Sequence, residues 1–304
     1  MIVPLLLALI TQNPSKTEAP IAKGNSYTQS ITEPNGTIEM KTRVQRLVSP
    51  GKPEIWLVGA VHIGSKQYYA QIQSVLDAED VVLYEGVKPA GQNAIPMKPD
   101  PKAPRTIYKI LSDAIGLDFQ LSDIDYSRTG WKNVDVSWET IMALNKAQSN
   151  GKPTQVDMIS KLFDPNSKTV QLFTTMIQSS TPGTREAFKY LMVKMVASGA
   201  GPGLDPTTNE IVVLERNKVV VHALQKLIEG PNPPKSVAVF YGALHLPGIE
   251  TTLAERFGYK EAERQWLTSA MADPTKIDAT GKKLIAAFDT ASKSSHPVPA
   301  ITHS

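Results

Sequence analysis

The chain has 304 residues, 41% apolar and 20% charged, with a formal net charge of +3 and no cysteine. That length buries a sizeable core as one large domain or two small ones, and the lack of cysteine excludes disulfides, thiolate nucleophiles and Cys-ligated zinc or iron–sulfur sites. Acidic and basic residues are interspersed, so no basic face points to nucleic acid, and any metal must be held by His, Asp, Glu or Asn.

Residues 1–10, MIVPLLLALI, form an apolar run too short to span a bilayer. The run resembles the h-region of a secretory signal, although no Lys or Arg precedes it and no Ala-x-Ala site is obvious. Residues 1–26 are read as a leader or linker. If residues 1–20 are a signal peptide the protein is exported, periplasmic or extracellular; if they pack on the domain it is cytoplasmic. No later segment is apolar and long enough for an integral membrane span.

From Tyr27 to Val48 the sequence alternates around Asn35-Gly36, which predicts a hairpin. EIWLVGAVH (residues 54–62) is apolar on both faces and predicts a buried strand. Tyr69, Ile72, Val75 and Leu76 then recur at helical spacing behind Ser65, a candidate N-cap. DVVLYEG (residues 80–86) is a second buried strand ending in Glu85, which completes a β–α–β unit with parallel strands. Residues 87–104, rich in Pro and Gly, predict a loop, and residues 105–230 read as mostly helical. SVAVFYGALH (residues 236–245) returns to the strand pattern, followed by a short helix stopped at Gly258 and a last strand near YKEAERQWL. Residues 27–288 are thus one α/β domain with a central mixed, largely parallel sheet. Two β–α–β-type halves flank a long helical insertion, and residues 289–304 form a disordered tail.

The sequence makes the same chemical statement twice. Strand residues lead to Gly59-x-x-His62 and, far along the chain, to Gly242-x-x-His245. A glycine at a strand end allows a tight turn or close approach to a ligand, and ligands of open α/β sheets bind beyond the carboxyl ends of the strands. If the two strands are neighbours, His62 and His245 meet in one crevice, with Glu85 at the same edge. Two imidazoles and a carboxylate suit a divalent metal with positions open to water and substrate. Burying Glu85 unpaired costs several kcal/mol, which argues for a metal or an arginine beside it. Arg216, read alone, is a surface ion-pair residue, and His222 a helix-face residue. Asp123, Asp125 and Tyr126 have turn and capping roles as their default, with Asp125 a weak site candidate. No Gly-x-Ser-x-Gly elbow, phosphate-binding loop, dinucleotide fingerprint or His-Glu-x-x-His helix is present.

The segments WLVGAVHIGSKQYY, VLDAEDVVLYEG, VLERN and VFYGALHLPGIETTLAERFGY resemble, in order, the TraB/PrgY/GumN/Tiki family over most of residues 50–260. The resemblance implies an α/β core related to erythromycin esterases and ChaN-like proteins, and a metal-dependent peptidase activity or peptide inactivation. Carried over by motif, His62 and His245 are the two histidines, Gly59 and Gly242 the motif glycines, Glu85 the glutamate and Arg216 the arginine. DYSRTGWKNVDVS only loosely matches a family segment, because Val134 precedes Asp135, which makes Asp135 a weak candidate. The expectation is a hydrolase of the peptidase type acting on peptides or proteins. His62, His245 and Glu85 bind a divalent metal (Zn, Mn or Co), or Glu85 acts as base, while Arg216 steadies a substrate carboxylate or oxyanion. The rival expectations are an esterase, or a haem- or peptide-binding protein without catalysis. Nothing in the sequence sets an oligomeric state.

Overall fold

The computed structural model describes residues 26–88, 91, 107–164, 167–197 and 204–294. The leader, most of the Pro- and Gly-rich loop, and the end of the tail with His296 and His303 lie outside the described residues. Strands β1 (Thr28–Thr32) and β2 (Ile38–Val48) form the predicted antiparallel hairpin, with Gly36 in its turn at φ 82°. β3 (Glu54–Ala60) and the short β4 (Ile63–Gly64) lead into α1 (Lys66–Asp77) and β5 (Val81–Tyr84). Ser65 caps α1 as its hydroxyl accepts the Tyr68 N–H, and the helix buries Tyr68, Tyr69, Ile72 and Leu76.

The stretch between β5 and the next long strand is helix-rich but not wholly helical. It contains α2 (Ile107–Ile115), β6 (Asp118–Phe119), α3 (Gln120–Asp123) and β7 (Trp131–Asn133). There follow α4 (Trp138–Gln148), α5 (Gln155–Phe163), α6 (Lys168–Gln178) and α7 (Pro182–Ala197). α8 (Pro206–Asn209) continues through a π-helical turn, Glu210–Leu214, into α9 (Glu215–Ile228). β7 interrupts the predicted helical run because Trp131 packs on Tyr126 and Tyr84, which holds residues 131–133 against β5 in parallel.

The chain closes with β8 (Ser236–Gly242), α10 (Leu246–Phe257), β9 (Lys260–Ala272) and α11 (Ala279–Ser294). Gly258, left-handed at φ 70°, ends α10 where the sequence placed the stop. α11 reaches Ser294, into the segment expected to be disordered. It is held there by Asp289 pairing with Lys194 of α7 at 2.8 Å, and by Gly281, where a Cβ would stand 2.8 Å from that of Ala187.

The fold is α/β, with a mixed main sheet of seven strands. β9 lines one edge of β2, while β1 and β3 share the other edge end to end, and the order continues β3-β8-β5-β7. Six of these strands point one way and β2 alone is reversed. The period of two along β8 explains the layers. Val237, Val239 and Tyr241 face α9 and α10, whose Val220, Leu224, Leu246 and Leu253 are fully buried there. Ala238 and Phe240 face α1 with Val58, Val82, Tyr68 and Ile72. Each such fully buried Leu, Ile, Val or Phe side chain contributes about 1.5–3 kcal/mol. A strand with both faces covered has no solvent side, hence the unbroken apolar runs in β3, β5 and β8.

Candidate functional site

β8 lies between β3 and β5, parallel to both, so the second Gly-x-x-His strand is inserted into the first β–α–β unit. Ala60 registers with Gly242 and Tyr84 with Phe240, which brings the ends of all three strands to one edge. His62 follows β3, Glu85 follows β5, and His245 is the residue at which α10 begins. The edge at which the sequence predicts a site is therefore built by three adjacent parallel strands.

The glycines serve close approach rather than a turn, since neither has a positive φ. A Cβ on Gly59 would stand 2.9 Å from the Arg43 carbonyl oxygen, and one on Gly242 would stand 3.0 Å from Oε2 of Glu85. The Gly242 N–H donates to that same oxygen at 2.5 Å, so the missing side chain is what seats the carboxylate on the strand end.

Arg216 organises the centre. It lies on α9 just after the π-helical turn, a distortion that often accompanies functional sites. Only 6% of it is exposed, so its isolated reading as a surface residue is corrected. Its Nε donates to Oδ1 of Asp135 at 2.9 Å, and one terminal nitrogen donates to Oδ2 of Asp135 at 2.7 Å and to Oε1 of Glu85 at 2.6 Å. The other terminal nitrogen lies 3.4 Å from both the Val212 carbonyl oxygen and Nε2 of His245. All five guanidinium N–H groups thus have acceptors inside the protein. Asp135, with a side chain fully buried, also accepts the Gly86 and Val136 N–H groups at 2.9 and 2.8 Å.

Electrostatics follow from this packing. Burial pushes the Glu85 carboxyl up, but Arg216, then His245 and His62, and the Gly242 N–H outweigh it and hold the group well below the usual carboxylate range. Burial lowers His245 to about 4 against the pull of Glu85, with Arg216 adding to the lowering. His245 is therefore a neutral imidazole beside an ionised carboxylate, its Nε2 3.7 Å from Oε1 of Glu85.

His62 stands at the exposed mouth, its ring 4.6 Å from that of Tyr108. The mutual influence of His62, Glu85 and His245 places all three in one electrostatic neighbourhood. Asp125 does not belong to it: its carboxylate accepts the Ser127 N–H and pairs with Arg128, an exposed turn role.

Four further residues join the site that sequence reasoning missed. Tyr108 is pushed up to about 12 by burial and by the charge of Glu85. Tyr241 donates to the Val134 carbonyl at 2.5 Å and meets the His245 ring edge to face at 5.5 Å. Gln120 and Asn217 each contact Nδ1 of one motif histidine, at 3.2 and 2.8 Å. Asn217 had one available signal, its place directly after Arg216.

The donor types fit a divalent metal: two imidazoles and an ionised carboxylate. The arrangement fits less well. Arg216 holds one oxygen of Glu85 and Gly242 the other, and among the described residues no three His, Asp or Glu side chains are grouped to hold a metal. No described helix is long and apolar enough to cross a membrane. Comparison of the chain with protein-family models, curated proteins and solved structures gives no significant match.

Proposed function

We propose that this crevice is the centre of a hydrolase of the peptidase type that acts on peptides or proteins, as the resemblance of the two Gly-x-x-His segments implies. The two segments are read as ends of two β–α–β-type halves separated by the helix-rich stretch. The observation that supports the reading is that His62, Glu85 and His245 all follow strands that end together at the carboxyl edge of β3, β5 and β8. His62, the exposed member, takes the proton from the attacking water. The buried Arg216 keeps Glu85 ionised and in place beside that base. Exposed Leu244, next to His245, gives the rim an apolar contact for a substrate side chain.

In the metal-dependent form His62 and His245 would hold the metal, His245 only after its Nε2 gives up the Arg216 N–H, and Glu85 would join them only by releasing Arg216 or Gly242. Such a metal supplies a water whose pKa falls from 15.7 toward about 7 and a Lewis acid for the carbonyl. A second reading, binding without cleavage, draws on the full occupancy of Arg216, which leaves that guanidinium no N–H to spare for an oxyanion.

Incubating the purified chain with a mixed peptide pool and an ester panel, with and without EDTA and added Zn, Mn or Co, separates these forms. New peptide fragments are the expected outcome: their loss with EDTA assigns the metal-dependent form, and their persistence assigns the form in which His62 alone is the base. Ester cleavage alone moves the assignment to an esterase. Intact substrates under every condition, with peptide retained or a Soret band appearing on haem titration, replace catalysis by binding.

A further inference from the structure

We propose that Gln120 and Asn217 are positioning residues that fix the tautomer of the two motif histidines, so that each presents Nε2 as a bare lone pair. The two histidines lie in different local structures, yet each has Nδ1 against a buried carboxamide oxygen.

For His245, Nδ1 lies 2.8 Å from Oδ1 of Asn217, while Nδ2 of the same amide donates to the His245 carbonyl oxygen at 3.1 Å. A main-chain carbonyl only accepts, so the amide nitrogen must face it and the amide oxygen must face the ring. Nδ1 therefore carries the proton and Nε2 is bare, pointed toward Arg216 and Glu85. Asn217 is 8% exposed, and Gly248 leaves room for it: a Cβ there would stand 3.0 Å from its Nδ2.

For His62, Nδ1 lies 3.2 Å from Oε1 of Gln120, whose Nε2 donates to the Tyr126 hydroxyl at 2.9 Å. The Gln120 main-chain N–H also donates to the His62 carbonyl oxygen at 3.0 Å, and the pairing of Ile63 with Phe119 fixes that register. Gln120 is 6% exposed, and its amide lies with Oε1 toward the ring and Nε2 toward the Tyr126 hydroxyl, the orientation in which Nδ1 of His62 carries the proton. Each histidine thus has a carboxamide bound both to its ring and, through that residue, to its own carbonyl oxygen. Such partners orient the ring and select its tautomer, whether the bare nitrogen then takes a proton or binds a metal.

The inference deepens the hydrolase reading, but its main readout does not depend on activity. In 15N-labelled, metal-free protein at pH 9, two-bond proton–nitrogen correlations report which imidazole nitrogen bears hydrogen, with His62→Ala and His245→Ala spectra assigning the signals. Both rings should show hydrogen on Nδ1 and a bare Nε2. Gln120→Leu should return His62 alone to the tautomer mixture of a free imidazole, and Gln120→Glu should restore the wild-type pattern. Asn217→Leu should do the same to His245, and if that variant does not fold, the wild-type spectrum still decides. On a cleaved peptide, Gln120→Leu should lower kcat about 10–100-fold with little change in KM. Hydrogen on Nε2 of either ring in the wild type, or an unchanged His62 pattern in Gln120→Leu, overturns the proposal. Both rings bare at Nε2 in a protein that cuts no peptide would support it while removing hydrolysis, so the two readings fail separately.

Discussion

Replacing Arg216 with methionine is expected to lower the free energy of unfolding by about 3–5 kcal/mol, the loss typical of breaking a buried ion pair from one side. Arg216 and its two partners are nearly closed to solvent, with side-chain exposures of 7% for Arg216, 14% for Glu85 and 0% for Asp135. Methionine fills much of the stem volume but leaves two adjacent carboxylates buried with no cation between them. Arg216→Lys should recover only part of the loss, because one ammonium cannot make the forked pair with Asp135 and also reach Glu85. Combining Arg216→Met with Glu85→Gln should be less damaging than the sum of the two, because the second change removes one of the stranded charges. Urea unfolding of the wild type and these four variants, Glu85→Gln alone included, measures this. A loss below about 1 kcal/mol for Arg216→Met, the range of surface pairs, would show that the cluster is not the buried network described.

The second large effect is a pH dependence of folding set by His245. Burial holds this imidazole at about 4 in the folded protein, against about 6.5 in the unfolded chain. Between those values the unfolded state binds a proton that the folded state refuses, so stability rises with pH and is lost as pH falls below about 6.5. The full contribution is on the order of 3 kcal/mol, with a slope near 1.4 kcal/mol per pH unit. Glu85 is shifted in the same direction but from a lower ordinary value, so its contribution is present above the ordinary carboxylate range and is lost only at lower pH than that of His245. The window from pH 4.5 to 6.5 therefore isolates the histidine. Metal-free wild type, unfolded in urea across that window, should show the slope, and His245→Gln should lose it. Equal slopes in the two proteins would contradict the buried, neutral imidazole.

The parts of the fold legible in the sequence are those in which burial on both faces writes a continuous apolar run. β3, β5 and β8 were readable for that reason, and the repeated Gly-x-x-His suggested a shared end on the condition that the strands are neighbours. The placement of β8 between β3 and β5 was not readable, because strand order is decided by long-range pairing that leaves no local pattern. β7 was missed because its three residues depend on the packing of Trp131 against two tyrosines. Within the stretch read as mostly helical, the start of α5 is marked by a capping box of Thr154 and Asp157.

The site divides in the same way. Glu85 pointed to a partner because an ionisable group at the end of an apolar strand must be compensated, and the partner is Arg216. Asp135, the more deeply buried carboxylate, was only a weak candidate from a loosely matching segment, and its pairing with Arg216 comes from the fold. Gln120 and Asn217 carry no charge and no motif of their own. Their roles come from which nitrogen of a distant ring they touch, which no local sequence pattern encodes.

The central claim is that the two histidines form one hydrolytic centre, and the most direct test is the rate of peptide cleavage by wild type, His62→Ala, His245→Ala and the double variant. Each single change should lower the rate by about 10²–10⁴-fold, and the double variant should be little worse than the poorer single, since residues acting as one unit do not add. Cleavage by His62→Ala at the wild-type rate would contradict the account.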